Sequence, residues 1–225
     1  MSVCVVFDID DTLYLERDYV RSGFEAAGVW AAQWIGCADF SERCWRRFVA
    51  GQRQSIFDEA LRECGLAPAA ELIQSLVAIY RTHKPSIALA PDADEALRTI
   101  REFAHIAVVS DGPATSQSRK AEALGLRSFA DPVILTEILG NGFSKPHTRA
   151  FEQIQALRPA DRFIYAGDNP AKDFQAPRKL GWITVRVRRP GGLHFAMDNV
   201  GATPDHEMSD CSALPELLAS LLVST

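Results

Sequence analysis

Val3-Cys4-Val5-Val6-Phe7-Asp8-Ile9-Asp10-Asp11-Thr12 is an apolar, β-branched run that breaks abruptly into acids. Apolar residues at every position, without alternation, read as a strand buried on both faces, as in the middle of a parallel sheet. Segment 2–7 is therefore the first strand, and the acids fall where it leaves the sheet.

Downstream, the texture changes twice. From 15 to 83, apolar residues recur at helical spacing over 17–34, 40–49, 56–64 and 69–80. Gly36, Gly51 and Gly65-Leu66-Ala67-Pro68 act as stops between these helices. No strand is evident, so this stretch is an all-helical insert. After Pro85, strands and helices alternate. Strands are predicted at 105–109, 133–135, 162–165 and 183–187, and helices at 91–103, 115–124, 146–157, 171–180 and 215–222. Strands separated by single helices imply parallel crossovers, hence a doubly wound (Rossmann-like) α/β sheet. The expected organisation is a core of 1–14 with 88–225 and a helical insert of 15–87.

Composition agrees with a globular chain: 225 residues, 47% apolar, 24% charged, net charge −5. An acidic balance argues against generic nucleic-acid or anionic-membrane binding. No apolar run approaches the roughly 20 residues that span a bilayer. The N-terminus lacks the basic start of a signal peptide. Five cysteines, odd in number and without a C-x-x-C pair, are expected to be reduced thiols in a cytoplasmic protein.

In such sheets ligands sit beyond the carboxyl ends of the strands. The residues predicted there are Asp8, Asp10, Asp11 and Thr12, then Ser110-Asp111-Gly112, then Lys145-Pro146, then Gly167-Asp168 through Asp173. Asp8 and Asp10, two apart, would share a side if strand geometry persists. Close carboxylates repel unless a cation intervenes, and with Asp168 they form an oxygen set suited to Mg²⁺. A carboxylate beside Mg²⁺ can attack phosphorus, and a second can protonate the leaving oxygen and then activate water. Ser110, backbone amides near Gly112, and Lys145 have the chemistry to hold the phosphoryl oxygens.

Asp8-Ile9-Asp10-Asp11-Thr12 resembles the D-x-D-x-T signature of the haloacid dehalogenase (HAD) superfamily. Ser110-Asp111-Gly112, Lys145-Pro146 and Gly167-Asp168…Asp173 resemble its remaining three motifs, in order. The resemblance covers essentially the whole chain, and the helical insert is similar to the cap of a phosphatase branch. It implies Asp8 as nucleophile and Mg²⁺ ligand. Asp10 would be general acid/base, with its carbonyl on the metal. Thr12 would shape the loop, and Ser110, Asp111 and Gly112 would form the phosphate cradle. Lys145 would neutralise charge, Asp168 would ligate Mg²⁺, and Asp173 would lie beside the metal or pair with Lys145. The dehalogenase branch lacks the second Asp, so Asp10 favours phosphoryl chemistry. The implied activity is Mg²⁺-dependent hydrolysis of a small phosphorylated metabolite through an aspartyl-phosphate, with the insert as a lid. A phosphomutase, a non-catalytic phospho-receiver-like module and a 2-haloacid dehalogenase are the alternatives. Oligomeric state is not readable.

Elsewhere plainer readings hold. The five histidines lack metal-ligand spacing. Trp30, Trp34 and Trp45 are expected to pack the insert's core, and Arg43, Arg46 and Arg47 to form a solvated helix face. Tyr14 and Arg17 are candidates for substrate choice.

Overall fold

In the computed structural model, which describes residues 2–223, the first strand becomes β1 (Val3–Phe7), buried at every position. It lies inside a six-stranded sheet of order β3-β2-β1-β4-β5-β6. The others are β2 (His105–Ser110), β3 (Val133–Leu135), β4 (Arg162–Gly167), β5 (Ile183–Val187) and β6 (His206–Met208). Every pairing is parallel. The chain runs from β1 outward to β2 and β3, then returns to β1's other side for β4, β5 and β6. β1 thus stands where the strand order reverses, the place such sheets keep for ligands.

The chain divides into two compact units, one running up to Arg17 and resuming at Ile87, the other Asp18–Ser86. In the first, the sheet is flanked by α5 (Pro91–Ile100), α6 (Ala114–Ala123), α7 (Arg149–Leu157), α8 (Gln175–Lys179) and α9 (Leu214–Val223). One core cluster joins Val6, Val109, Phe151, Tyr165, Phe174 and Trp182. Phe151 meets Tyr165 and Trp182 edge-on at 5.1 and 5.5 Å between centroids, a geometry that matches ring edges to faces. α8 begins four residues later than expected, because 169–173 form a turn whose polar groups face inward. β6 carries no sequence signal: His206-Glu207-Met208 is short, polar and at the sheet's edge.

The second unit holds most of α1 (Glu16–Trp34), with α2 (Phe40–Val49), α3 (Ile56–Glu63) and α4 (Ala70–Thr82). Its core is Phe24, Phe40, Phe48 and Phe57, with Tyr19 and Tyr80. The tryptophan expectation is corrected. Trp34 is 66% exposed, Trp30 is half-buried, and Trp45 stacks on Phe48 from the rim. Arg43, Arg46 and Arg47 converge on Glu63, so their charge is answered within the unit.

The thiol expectation is also corrected: Cys37 and Cys64 form a disulfide. Folding brings the turn after α1 to the end of α3, a pairing that cysteine spacing cannot reveal. Cys4, Cys44 and Cys211 are buried free thiols. The cysteine argument for a cytoplasmic location therefore lapses. Among the described residues, no helix is long and apolar enough to cross a membrane.

Candidate active site

Strand register assembles the site. Phe7 pairs with Val108 on one side and Ala166 on the other. The next residues along, Asp8, Val109-Ser110 and Gly167-Asp168, therefore emerge side by side. The Asp8 amide still donates to the Ala166 carbonyl at 2.9 Å, extending the ladder one residue past β1. The strand ends at Phe7 and the chain bends at Ile9, so strand geometry does not persist and Asp8 and Asp10 acquire different partners; Asp11 follows at φ 52°.

Asp8 belongs to a cluster centred on Lys145. The ammonium lies 2.9 Å from Asp8 Oδ1 and 2.7 Å from Asp173 Oδ1. It also donates to the Tyr165 hydroxyl at 2.9 Å, and that hydroxyl donates to Asp173 at 3.2 Å. All four residues are buried. Burial pushes the Asp8 carboxyl up to about 7, against the pull of Lys145. Lys145 is also disfavoured by burial, but Asp173 and Asp8 outweigh this and hold it well above its ordinary value. Gly167 permits the crowding: a Cβ there would come within 2.7 Å of Asp173 Oδ2.

Asp10 belongs to a second cluster. Lys120 bonds both its oxygens at 2.7 and 2.8 Å, Gln117 donates to Oδ2 at 2.9 Å, and Tyr14 donates to Oδ1 at 2.5 Å. Gln117 and Lys120 lie one turn apart on α6 and so share a face. Burial alone would raise the Asp10 carboxyl. The Lys120 charge and the hydrogen bonds of Lys120, Tyr14 and Gln117 instead keep it below the usual range. Glu16 nearby is supported only by Lys120, 4.0 Å away, and burial and the Asp10 charge outweigh that and push it up to about 8. Ser110 donates to Gln117 Oε1 at 3.0 Å, tying β2 to the Asp10 cluster. Thr12 Oγ1 is buried with no hydrogen-bond partner, while the Thr12 carbonyl accepts from Arg189.

The second motif is joined to the third and fourth through Asp111. Its Oδ1 accepts from Thr136 at 2.8 Å and the Lys145 amide at 3.1 Å, and its Oδ2 from Lys172 at 3.0 Å. An acceptor-only carboxylate cannot itself donate to phosphate oxygens: the Asp111 side chain braces the loop, which leaves its backbone N–H as the group it could offer to a cradle. Gly112, at φ 119°, makes the turn that follows, in the left-handed region that favours glycine.

Asp168 meets a residue that sequence reasoning set aside. His194 Nδ1 lies 2.8 Å from Asp168 Oδ2, and this contact raises the imidazole above its ordinary value. Burial, partly offset by His194, pushes Asp168 up to about 6. His194 sits in an irregular stretch that Arg186 organises. That arginine is fully buried on β5 and donates to the carbonyls of Asp168, His194 and Met197 and to Asn199.

At this strand edge, two side-chain sets among the described residues could hold a cation. Asp8, Asp168 and Asp173 offer carboxylate oxygens all within 4.8 Å of one another, and so do Asp11, Asp168 and His194 with their ligand atoms. Asp11 is already committed, accepting from the Glu16 and Leu193 amides. The first set is all hard oxygen, and Lys145 supplies only one positive charge to it. Its donors fit Mg²⁺.

Lys120, Gln117, Lys172, His194 and Tyr165 are therefore the site residues that sequence reasoning missed. The polar pair 117/120 on the helix after β2 was the only periodic signal. Tyr14, expected to face substrate, is buried against Asp10.

A model of haloacid dehalogenase-like hydrolases matches residues 3–181, spanning the insert and all four motifs. The chain belongs to this family. A glyceraldehyde 3-phosphate phosphatase from Methanopyrus kandleri is 27% identical, with 98% of this chain and 99% of that protein covered. A ribulose-1,5-bisphosphate 5-phosphatase from Halopiger xanaduensis is 26% identical over 82% of this chain and 84% of its own length. Among solved structures, a 2-haloacid dehalogenase from Pseudomonas syringae superposes with TM-score 0.67 at 21% identity, covering 98% and 100% of the two chains. That likeness speaks for the shared fold.

Proposed function

We propose that this hydrolase is a Mg²⁺-dependent phosphatase of a small phosphorylated metabolite, acting through an aspartyl-phosphate on Asp8. The observation that carries the reading is the division of labour between the two aspartates. Asp8 is held by a lysine at the strand end, and Asp10, two residues on, is held separately by Lys120, Gln117 and Tyr14. A metal-free hydrolysis of carbon–halogen bonds has no use for the second carboxylate. The phosphatase relatives, both named for sugar phosphates, support the same choice.

In this reading Asp8, Asp168 and the Asp10 carbonyl hold Mg²⁺, with Asp173 beside them. When bound, the ion draws negative charge off the phosphoryl oxygens. The chain does the rest. Lys145 fixes Asp8 with one oxygen free to attack phosphorus; Asp10 takes up the proton that the substrate's phosphate monoanion brings and passes it to the leaving oxygen as the bond between that oxygen and phosphorus breaks. Asp10, again a carboxylate, then removes a proton from the water that releases phosphate. Its anionic preference suits this second half directly. The braced Asp111 keeps the second-motif loop from drifting as charge moves.

The test is phosphate release from a panel of phosphorylated sugars, nucleotides and glycolytic acids. Wild-type protein with Mg²⁺ turns over at least one of them, and D8N, with its thermal melt retained, turns over none. Chloride release from a 2-haloacid without metal, and no phosphate release, would refute the reading.

A further inference from the structure

We propose that His194 is a positioning residue for the metal: its imidazole, reaching in from the irregular stretch after β5, sets the Asp168 carboxylate for a divalent cation. The inference deepens the phosphatase reading and rests on its assignment of Asp168 as a Mg²⁺ ligand.

It starts from the ring's two nitrogens. Nδ1 lies 2.8 Å from Asp168 Oδ2, and Nε2 lies 3.2 Å from Asn169 Nδ2. An imidazole nitrogen can donate or accept, so the Asn169 amide decides the tautomer. Its Oδ1 accepts from the Ala171 amide at 3.0 Å. A backbone N–H can only donate, so that end of the Asn169 side chain is the oxygen and the end facing His194 is the NH₂. Nε2 must accept from it, which leaves the ring hydrogen on Nδ1, donating to Asp168. With Nδ1 spent on Asp168 and Nε2 on Asn169, the ring serves a cation through Asp168 and not as a ligand itself.

The backbone that presents the ring is held as well. Arg186, fully buried, donates through Nε to the Asp168 carbonyl at 3.3 Å and through Nη2 to the His194 carbonyl at 2.9 Å. One residue earlier, the Leu193 amide donates to Asp11 Oδ2 at 2.6 Å, and Asp11 Oδ1 accepts from the Glu16 amide at 2.8 Å. A buried arginine and a first-motif aspartate therefore pin the main chain on either side of the histidine. Asp168 in turn belongs with Asp8 and Asp173 to the oxygen set that fits Mg²⁺. A hydrogen bond to one carboxylate oxygen fixes the rotation of the group, and so where its other oxygen lies. Partners of this kind typically change metal affinity by about ten- to a hundredfold.

The experiment compares full-length wild type, H194L and H194N after metal has been removed by chelation. Leucine keeps bulk without a donor, whereas asparagine keeps an N–H near the place of Nδ1. The imidazole is 31% exposed, so neither change hollows the core. Mg²⁺ alone is titrated into each protein by calorimetry, and the Mg²⁺ dependence of phosphate release from p-nitrophenyl phosphate is recorded beside it. H194L is expected to bind Mg²⁺ about tenfold more weakly. Its loss of phosphate release should be reversed by raising Mg²⁺, which would not repair a general loss of structure. H194N should recover most of the affinity. A second measurement needs no variant: long-range proton–nitrogen NMR of wild type, at a pH where the ring is neutral, should show the His194 hydrogen on Nδ1. A hydrogen on Nε2 overturns the assignment even if H194L fails to fold. Wild type that binds no Mg²⁺ removes the metal reading and this inference with it, whereas Mg²⁺ binding by H194L equal to that of wild type removes this inference alone.

Discussion

Lys145 shows how a single side chain can be both structural and functional. It bridges two buried carboxylates, and removing one partner of a buried ion pair costs far more than a surface pair is worth. K145A is therefore expected to lose about 3–5 kcal/mol of stability, measured by urea unfolding. A loss below roughly 1 kcal/mol, the range of surface pairs, would mean that Asp8 and Asp173 do not depend on it. Away from the site, Arg189 makes a two-pronged contact with Asp92 at 2.8 Å, and Asp92 also accepts from the Cys211 amide. Burial alone would raise Asp92, but these bonds hold its carboxyl below the ordinary 3.8. A carboxyl with a lower pKa folded than unfolded adds stability above its unfolded value and loses it as pH falls through its folded value. D92N should thus cost about 1–3 kcal/mol near pH 7. The gap from wild type should close below about pH 4, where the unfolded-state carboxyl protonates. A gap that is constant with pH would show that the charge on Asp92 is immaterial.

At the scale of elements, the disulfide is the feature with the clearest consequence. It closes a loop of 27 residues spanning α2 and α3, and a loop of that length is worth about 3–4 kcal/mol in the chain-entropy account. Protein unfolded without reductant should titrate as three thiols, and reduction should lower the stability of the helical unit in a denaturant melt. Five thiols in the oxidised protein would contradict the bond. The elements differ in how far they could be read from sequence. β1 was legible because burial on both faces leaves an unbroken apolar run, and α2 because its period and stops agree. β3 has its expected bounds for the first of these reasons, and β5 has its own because three β-branched apolar residues alternate with Thr184 and Arg186. β6 was not legible, because three polar residues at an edge bury too little to leave a pattern. The disulfide was invisible because its partners meet only after the helices pack. Charges on helices look alike in sequence, so nothing separated Lys120 and Lys172 from solvated lysines until α6 and the turn after β4 were placed against β1. His194 had less signal still, since it reaches Asp168 from an irregular stretch that the buried Arg186 holds in place. The motif residues were legible as a set because a doubly wound sheet gathers its strand ends, whatever their spacing in the chain.

For the whole molecule, a net-acidic chain gathers Asp8, Asp168 and Asp173 with only one committed ammonium between them. Such a site needs a cation before it can accept a phosphate dianion. Chelation with EDTA should stop phosphate release, and Mg²⁺ should restore it. Full activity in rigorously chelated protein would remove Asp168 from its metal role. The most direct test concerns the covalent step. Wild type and D10N are mixed with a turned-over phosphomonoester, quenched in acid within a single turnover, and digested, and the phosphoryl group is located by mass spectrometry. The account predicts the phosphoryl group on the peptide carrying Asp8, at Asp8 itself, and persisting longer in D10N. Turnover with Asp8 never labelled, or with the label on another residue, would contradict it.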